Sequence, residues 1–176
     1  VDVARARRAE SLLLAAQAYT DESRGEEAGA RAAAAASADL DPALVAAALI
    51  AARLSGDDAV RKRKYLMSCW TVTGDPRLAR SALSLEPLST EAAPLLDKMA
   101  DNAPSDEAAA LARAYAAMAR SDPGSALQAL YLLLSRAAHE EALVPAMRAA
   151  LADGRYDAAS MLAARLATAM DQRSLE

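Results

Sequence analysis

Few residues in this chain could do chemistry. His139 is the only histidine and Cys69 the only cysteine. A catalytic or metal-binding histidine needs convergent partners, such as a second imidazole, a thiolate or a carboxylate held against it. His139 is instead followed by Glu140 and Glu141 at the start of a helical stretch, and it reads as an exposed helix-start residue. Cys69 and His139 could in principle act as nucleophile and base, but nothing near Cys69 in sequence would hold a thiolate, so it reads as a small buried apolar thiol. A haem site would have this one histidine and no Cys-Pro element, leaving Met and Tyr as the other ligands. No catalytic residue, metal ligand or cofactor is therefore expected.

Charge and aromatic character concentrate in one segment. Arg61-Lys62-Arg63-Lys64 is the densest run of charge, and four successive helical residues sweep about 300° around the axis. They cannot all face solvent, so at least one must lay its stem along a neighbouring helix or reach a carboxylate there. Two readings stand beside each other: a solvated helix start with one snorkelling or paired side chain, and a patch for an anionic partner or lipid headgroups. The same segment ends at Trp70, the only tryptophan. With Tyr65, Leu66 and Met67 it reads as core between hairpins, or as an anchor for a partner.

The elements that must position these residues follow from composition. The chain has 176 residues, 54% of them hydrophobic but only 3% aromatic, with no phenylalanine. Alanine dominates; it is the strongest helix former and lets helix axes approach closely. β-branched residues are scarce and no stretch alternates apolar with polar, so the expectation is all-α. A net charge of −4 argues against a general nucleic-acid binder, which needs a basic face. One cysteine excludes an intrachain disulfide and a CxxC metal site. No apolar run reaches the roughly 18 residues of a membrane span. The N-terminus lacks a signal-peptide pattern, and the chain reads as a fragment of a longer protein, with Leu175-Glu176 as a cloning remnant.

Gly25, Gly56, Gly124 and Gly154 stand between alanine- and leucine-rich runs at a beat of roughly 30 to 34 residues, the long interval being two steps. The missing beat falls on Ser89-Thr90-Glu91, a helix-start signal. Asp41-Pro42, Gly74-Asp75-Pro76 and Pro104-Ser105 break the chain between these turns, with Asp41 as a helix cap and Pro42 in the first helical position. The result is one continuous domain of five hairpins, spanning roughly 3–38, 42–72, 76–101, 105–137 and 139–170. Within them Leu12, Leu13, Ala16 and Tyr19 share one side of a helix. Ala108, Leu111, Ala112 and Tyr115 share another, as do Leu127, Leu130, Tyr131 and Leu134. The small Ala32–Ala36 run is expected to admit a close neighbour.

Leu12, Ala15, Ala16 and Tyr19, and again Ala108, Leu111, Ala112 and Tyr115, resemble the first-helix pattern of tetratricopeptide repeats, and Leu40-Asp41-Pro42 resembles their closing tripeptide. The resemblance implies a right-handed α–α superhelix. A narrower resemblance covers Pro42 to Leu54, Gly56, the basic helix ending at Trp70, and Asp75-Pro76-Arg77-Leu78-Ala79. These segments, with Leu95 to Ala114, are similar to the C-terminal repeat region of HemY-type proteins, although Asp75 stands where that family has histidine. This second resemblance implies a bacterial inner-membrane protein whose anchor lies upstream. It also implies an association with haem biosynthesis, without catalytic residues.

The expected function is therefore a non-catalytic scaffold that binds a protein or peptide along a surface of its first helices. Arg53, Arg77, Arg80, Arg113 and Tyr115 are the candidate contact residues. The Arg61–Lys64 run and Trp70 are secondary candidates. Two alternatives carry different chemistry: a tetrapyrrole-binding or enzyme-like helical domain using His139 or Cys69, and a scaffold that associates with itself.

Overall fold

The computed structural model describes residues 2–83, 92–135 and 140–173. Among them the chain is all-helical, with ten α-helices and no strand: α1 (Val3–Ser23), α2 (Glu27–Leu40), α3 (Val45–Leu54), α4 (Ala59–Thr73), α5 (Pro76–Leu83), α6 (Ala92–Asp101), α7 (Asp106–Ala119), α8 (Pro123–Ser135), α9 (Glu140–Ala152) and α10 (Tyr156–Arg173). They fall into two compact units, residues 1–82 and 83–176. The division lies inside the expected third hairpin. Ser89 and His139 lie outside the described residues.

In the first unit α1 packs on α2, α2 on α3 and α3 on α4, and α1 also touches α3. The α1–α2 interface is made of small residues. Ser11, Ala15 and Ala18 of α1 are buried, as are Ala30, Ala33, Ala34, Ser37 and Ala38 of α2. That lets the two backbones come within reach of each other's side chains: Ser11 Oγ donates to the Ser37 carbonyl at 3.0 Å, and Ser37 Oγ donates to the Ser11 carbonyl at 2.7 Å. Gly29 adds to the close fit, since a Cβ there would stand 3.1 Å from Asp21 Oδ2. The other face of α1 departs from the sequence expectation. Leu12, Leu13, Ala16 and Tyr19 are exposed. The serine–alanine face allows a closer approach than the leucine–tyrosine face would, and α2 offers four alanines and Ser37 to receive it.

Large apolar volume in this unit comes from α3 and α4, where Ile50, Tyr65, Leu66, Cys69 and Trp70 are buried. Burial raises the Cys69 thiol above its ordinary range, as expected of an inert packing cysteine. The break before α3 differs from expectation too. Pro42 lies in a turn, and α3 starts at Val45. Asp41 caps that turn instead, its carboxylate accepting from the Ala43 N–H at 3.0 Å and its carbonyl from the Leu44 N–H. Gly74, at φ +61°, ends α4 in the left-handed conformation, and Pro76 opens α5 as the sequence suggested.

In the second unit α6 packs on α7, α7 on α8, α8 on α9 and α9 on α10, with α7 also touching α9. Ser105 caps α7, accepting from the Ala108 N–H at 3.2 Å. Ala108, Leu111, Ala112 and Tyr115 are all buried. On α8 the buried residues are Ala126, Leu130 and Leu133, while Tyr131 is exposed and Leu127 and Leu134 are half-buried, so the buried face is offset from the expected stripe. Gly25, Gly56 and Gly154 take positive φ at the α1–α2, α3–α4 and α9–α10 turns. At the α7–α8 turn that role belongs to Ser121, at φ +58°, and Gly124 lies inside the first turn of α8.

Candidate functional site

Helical spacing in the second unit builds a cleft with charged side chains in its lining. Arg113, Ala117 and Arg120 recur at intervals of four and three along α7, and on α8 Gln128 and Ala129 lie three and four residues after Ser125, so each set shares one face. With Asp97 of α6 and Asp122 of the α7–α8 turn they line a cleft of about 390 Å³. Ala117 and Ala129 line it beside the longer polar side chains.

The charges in the cleft are arranged unequally. Arg120 and Asp97 form a two-pronged ion pair, with Nη2 on Oδ2 and Nη1 on Oδ1, the latter at 3.2 Å. This contact raises the Arg120 pKa further. Asp122 turns toward the start of α8. The Ser125 hydroxyl and backbone N–H hold its carboxyl below the ordinary aspartate range, the N–H at 3.1 Å from Oδ1. Arg113 is exposed and has no ion pair among the described residues, and the Gln128 amide has no hydrogen-bond partner among them. The cleft's spare polar capacity is thus a guanidinium, which only donates, and an amide, which both donates and accepts.

The candidates from sequence divide between the units. Arg113 lines the cleft. Tyr115 does not, because its position on α7 turns it into the core, where it is 4% exposed; it is a packing residue and offers no contact surface. In the first unit Arg53 is bound to Glu22 at the C-terminal end of α1 by two hydrogen bonds, one of them 2.6 Å long. That pairing lowers the Glu22 pKa and raises that of Arg53. Arg77 folds back on Asp75 at 2.7 Å and draws the aspartate's pKa down. Arg80 is exposed on α5.

The basic run behaves as its helical sweep requires. Arg61 pairs with Asp58 at 3.1 Å, Lys62 is only 6% exposed, and Arg63 is half-buried. Lys64 reaches Asp39 of α2 at 2.7 Å and lies 5.1 Å from the centre of the Tyr65 ring. The four cations are spread around α4 and do not form one patch. Trp70 is fully buried, which fits the core role and leaves no surface for an anchor.

Sequence reading found Arg113 but not its companions. The signal was there in the i, i+4, i+7 spacing of Arg113, Ala117 and Arg120. It becomes meaningful only once α6 and α8 are known to flank that face. Among the described residues, no three His, Cys, Asp or Glu side chains are grouped to hold a metal ion, and no helix is long and apolar enough to cross a membrane. No family model, curated protein or solved structure matches the chain.

Proposed function

We propose that this chain is a non-catalytic helical-repeat scaffold, a right-handed α–α superhelix of the tetratricopeptide kind, that binds a protein or peptide partner. The observation that carries the reading is the cleft of the second unit, a recess lined by both polar and apolar groups on helices already fixed by a buried core. Helices that need no ordering on binding lose little conformational entropy to a partner. The repeat assignment is supported by the sequential packing of α1 to α4 and of α6 to α10, and by the α1–α3 and α7–α9 contacts between first helices of the expected hairpins.

The resemblance of residues 42–83 to HemY-type repeats supports a role beside haem biosynthesis in a membrane-anchored parent protein. Deleting the gene and finding porphyrin intermediates unchanged would remove that part. The scaffold reading is tested by panning a displayed peptide library against the immobilised chain, then mapping binders by amide chemical shifts. Enrichment of peptides that perturb α6–α8 is the expected result. Failure to enrich any peptide would overturn it.

A further inference from the structure

From the outer face of α1 we infer a docking surface for a second copy of this chain, the two α1 helices packing antiparallel about a two-fold axis. Arg5, Ala9, Leu12, Ala16, Tyr19 and Ser23 recur along α1 at intervals of four and three, the repeat by which one helix lays a single seam against another. All six are exposed. Large and small side chains alternate strictly along this seam. Set antiparallel, with the axis level with Leu14, it pairs Arg5 with Ser23, Ala9 with Tyr19 and Leu12 with Ala16 of the other copy. Every layer then holds one large and one small side chain, which is how facing helices fill the space between them. A parallel pair would set Tyr19 on Tyr19 and Ala16 on Ala16, crowding some layers and leaving others empty. A foreign helix would have to carry the reversed alternation; this chain already carries it.

The flanks of the seam agree with this pairing. Leu13, 72% exposed, is four residues from Ala9 and three from Ala16, so it stands beside the seam near the axis and meets Leu13 of the other copy. Arg8 and Glu22 lie on the opposite flank, four residues before Leu12 and three after Tyr19. Reversal brings Arg8 of each copy beside Glu22 of the other. In their own chain Arg8 binds Asp41 and Glu22 binds Arg53, so the pairing extends two ion pairs into a network and breaks neither. Opposed helix dipoles favour the same orientation. A single seam about 27 Å long is at the small end for protein interfaces. The dimer is accordingly weak, with a Kd of roughly 10–100 µM.

Sedimentation velocity on the full chain, over a dilution series from about 1 to 300 µM, should show the mass rise from one chain to two. Leu12→Glu, which sets a carboxylate against Ala16 of the other copy, should weaken association at least about tenfold with helix content by circular dichroism unchanged. Ala16→Leu separates this layering from general hydrophobic association. It adds apolar surface yet puts two large side chains in one layer, so it should weaken the dimer, and adding Leu12→Ala to the same chain should restore it. Orientation is read by mixing Leu12→Cys chains with Ala16→Cys chains under mild oxidation, where the mixed disulfide should form ahead of either homodimer. A chain that stays monomeric throughout, a dimer indifferent to Leu12→Glu, tighter association of Ala16→Leu, or fastest linkage of Leu12→Cys to itself would each overturn the inference. So would panned peptides that perturb α1 in a monomeric chain, since they would give this face to a foreign partner. The scaffold reading is decided separately, by binders at α6–α8.

Discussion

Tyr19 and Tyr115 close the same spacing of apolar residues, in α1 and α7, and have opposite fates. Tyr115 is 4% exposed and Tyr19 is 56% exposed. Tyr115→Ala should therefore cost about 3 kcal/mol, in the range for losing a buried aromatic, and Tyr19→Ala no more than about 0.5 kcal/mol. Urea denaturation of both variants checks the contrast, and equal losses would contradict the burial described. Trp70→Ala, which empties the largest fully buried side chain of the first unit, should cost about 3–5 kcal/mol. Ser121 is the non-glycine residue with positive φ among those described, a conformation that costs an L-residue about 1 kcal/mol. Ser121→Gly should relieve part of that cost and raise the denaturation midpoint. Periodicity put both tyrosines on the apolar side of their helices because it records spacing, not which face meets a neighbour. The glycine beat pointed to Gly124 for a similar reason: composition shows that a turn is near, while the left-handed residue is set by backbone geometry three positions earlier.

At the level of elements, most helix starts and stops were legible. Ser105, Gly56, Gly74 and Gly154 act through local chemistry that needs no tertiary partner, since a cap or a left-handed glycine satisfies or ends a helix by itself. What was not legible is the rotation of each helix about its axis. The outward turn of Leu12, Leu13 and Tyr19 on α1 reflects a contest between two usable faces, decided by the alanines of α2. Arg113 was recognisable as an exposed cation on a first helix. The cleft around it needed α6 and α8, contributed by Asp97 and by Ser125 and Gln128, which no local pattern joins. Gly29→Leu tests the element-level packing. With Asp21 so close to the missing Cβ, it should force α1 and α2 apart and destabilise the chain by at least about 1–3 kcal/mol, read from its thermal midpoint.

For the molecule as a whole, the carboxylates with resolved shifts move in one direction. Glu22, Asp75 and Asp122 are all held below their ordinary pKa by Arg53, Arg77 and Ser125 respectively. A depressed folded-state pKa contributes stability that is present above the unfolded value and lost as pH falls through the folded one. The chain should thus hold its stability at neutral pH and lose it below about pH 4. Thermal midpoints measured across that range should drop, and Asp75→Asn should flatten part of the drop; a pH-independent midpoint would contradict the pairing. The α1–α2 contact carries a further consequence. Surfaces of alanine are nearly smooth, and two smooth helices can slide along each other with little change in buried area. The reciprocal hydroxyls of Ser11 and Ser37 are directional, so they fix the axial register that the alanines leave open. Replacing both serines with alanine should keep the helices and the burial yet let them slip, visible as faster amide exchange in α1 and α2 at nearly unchanged helix content.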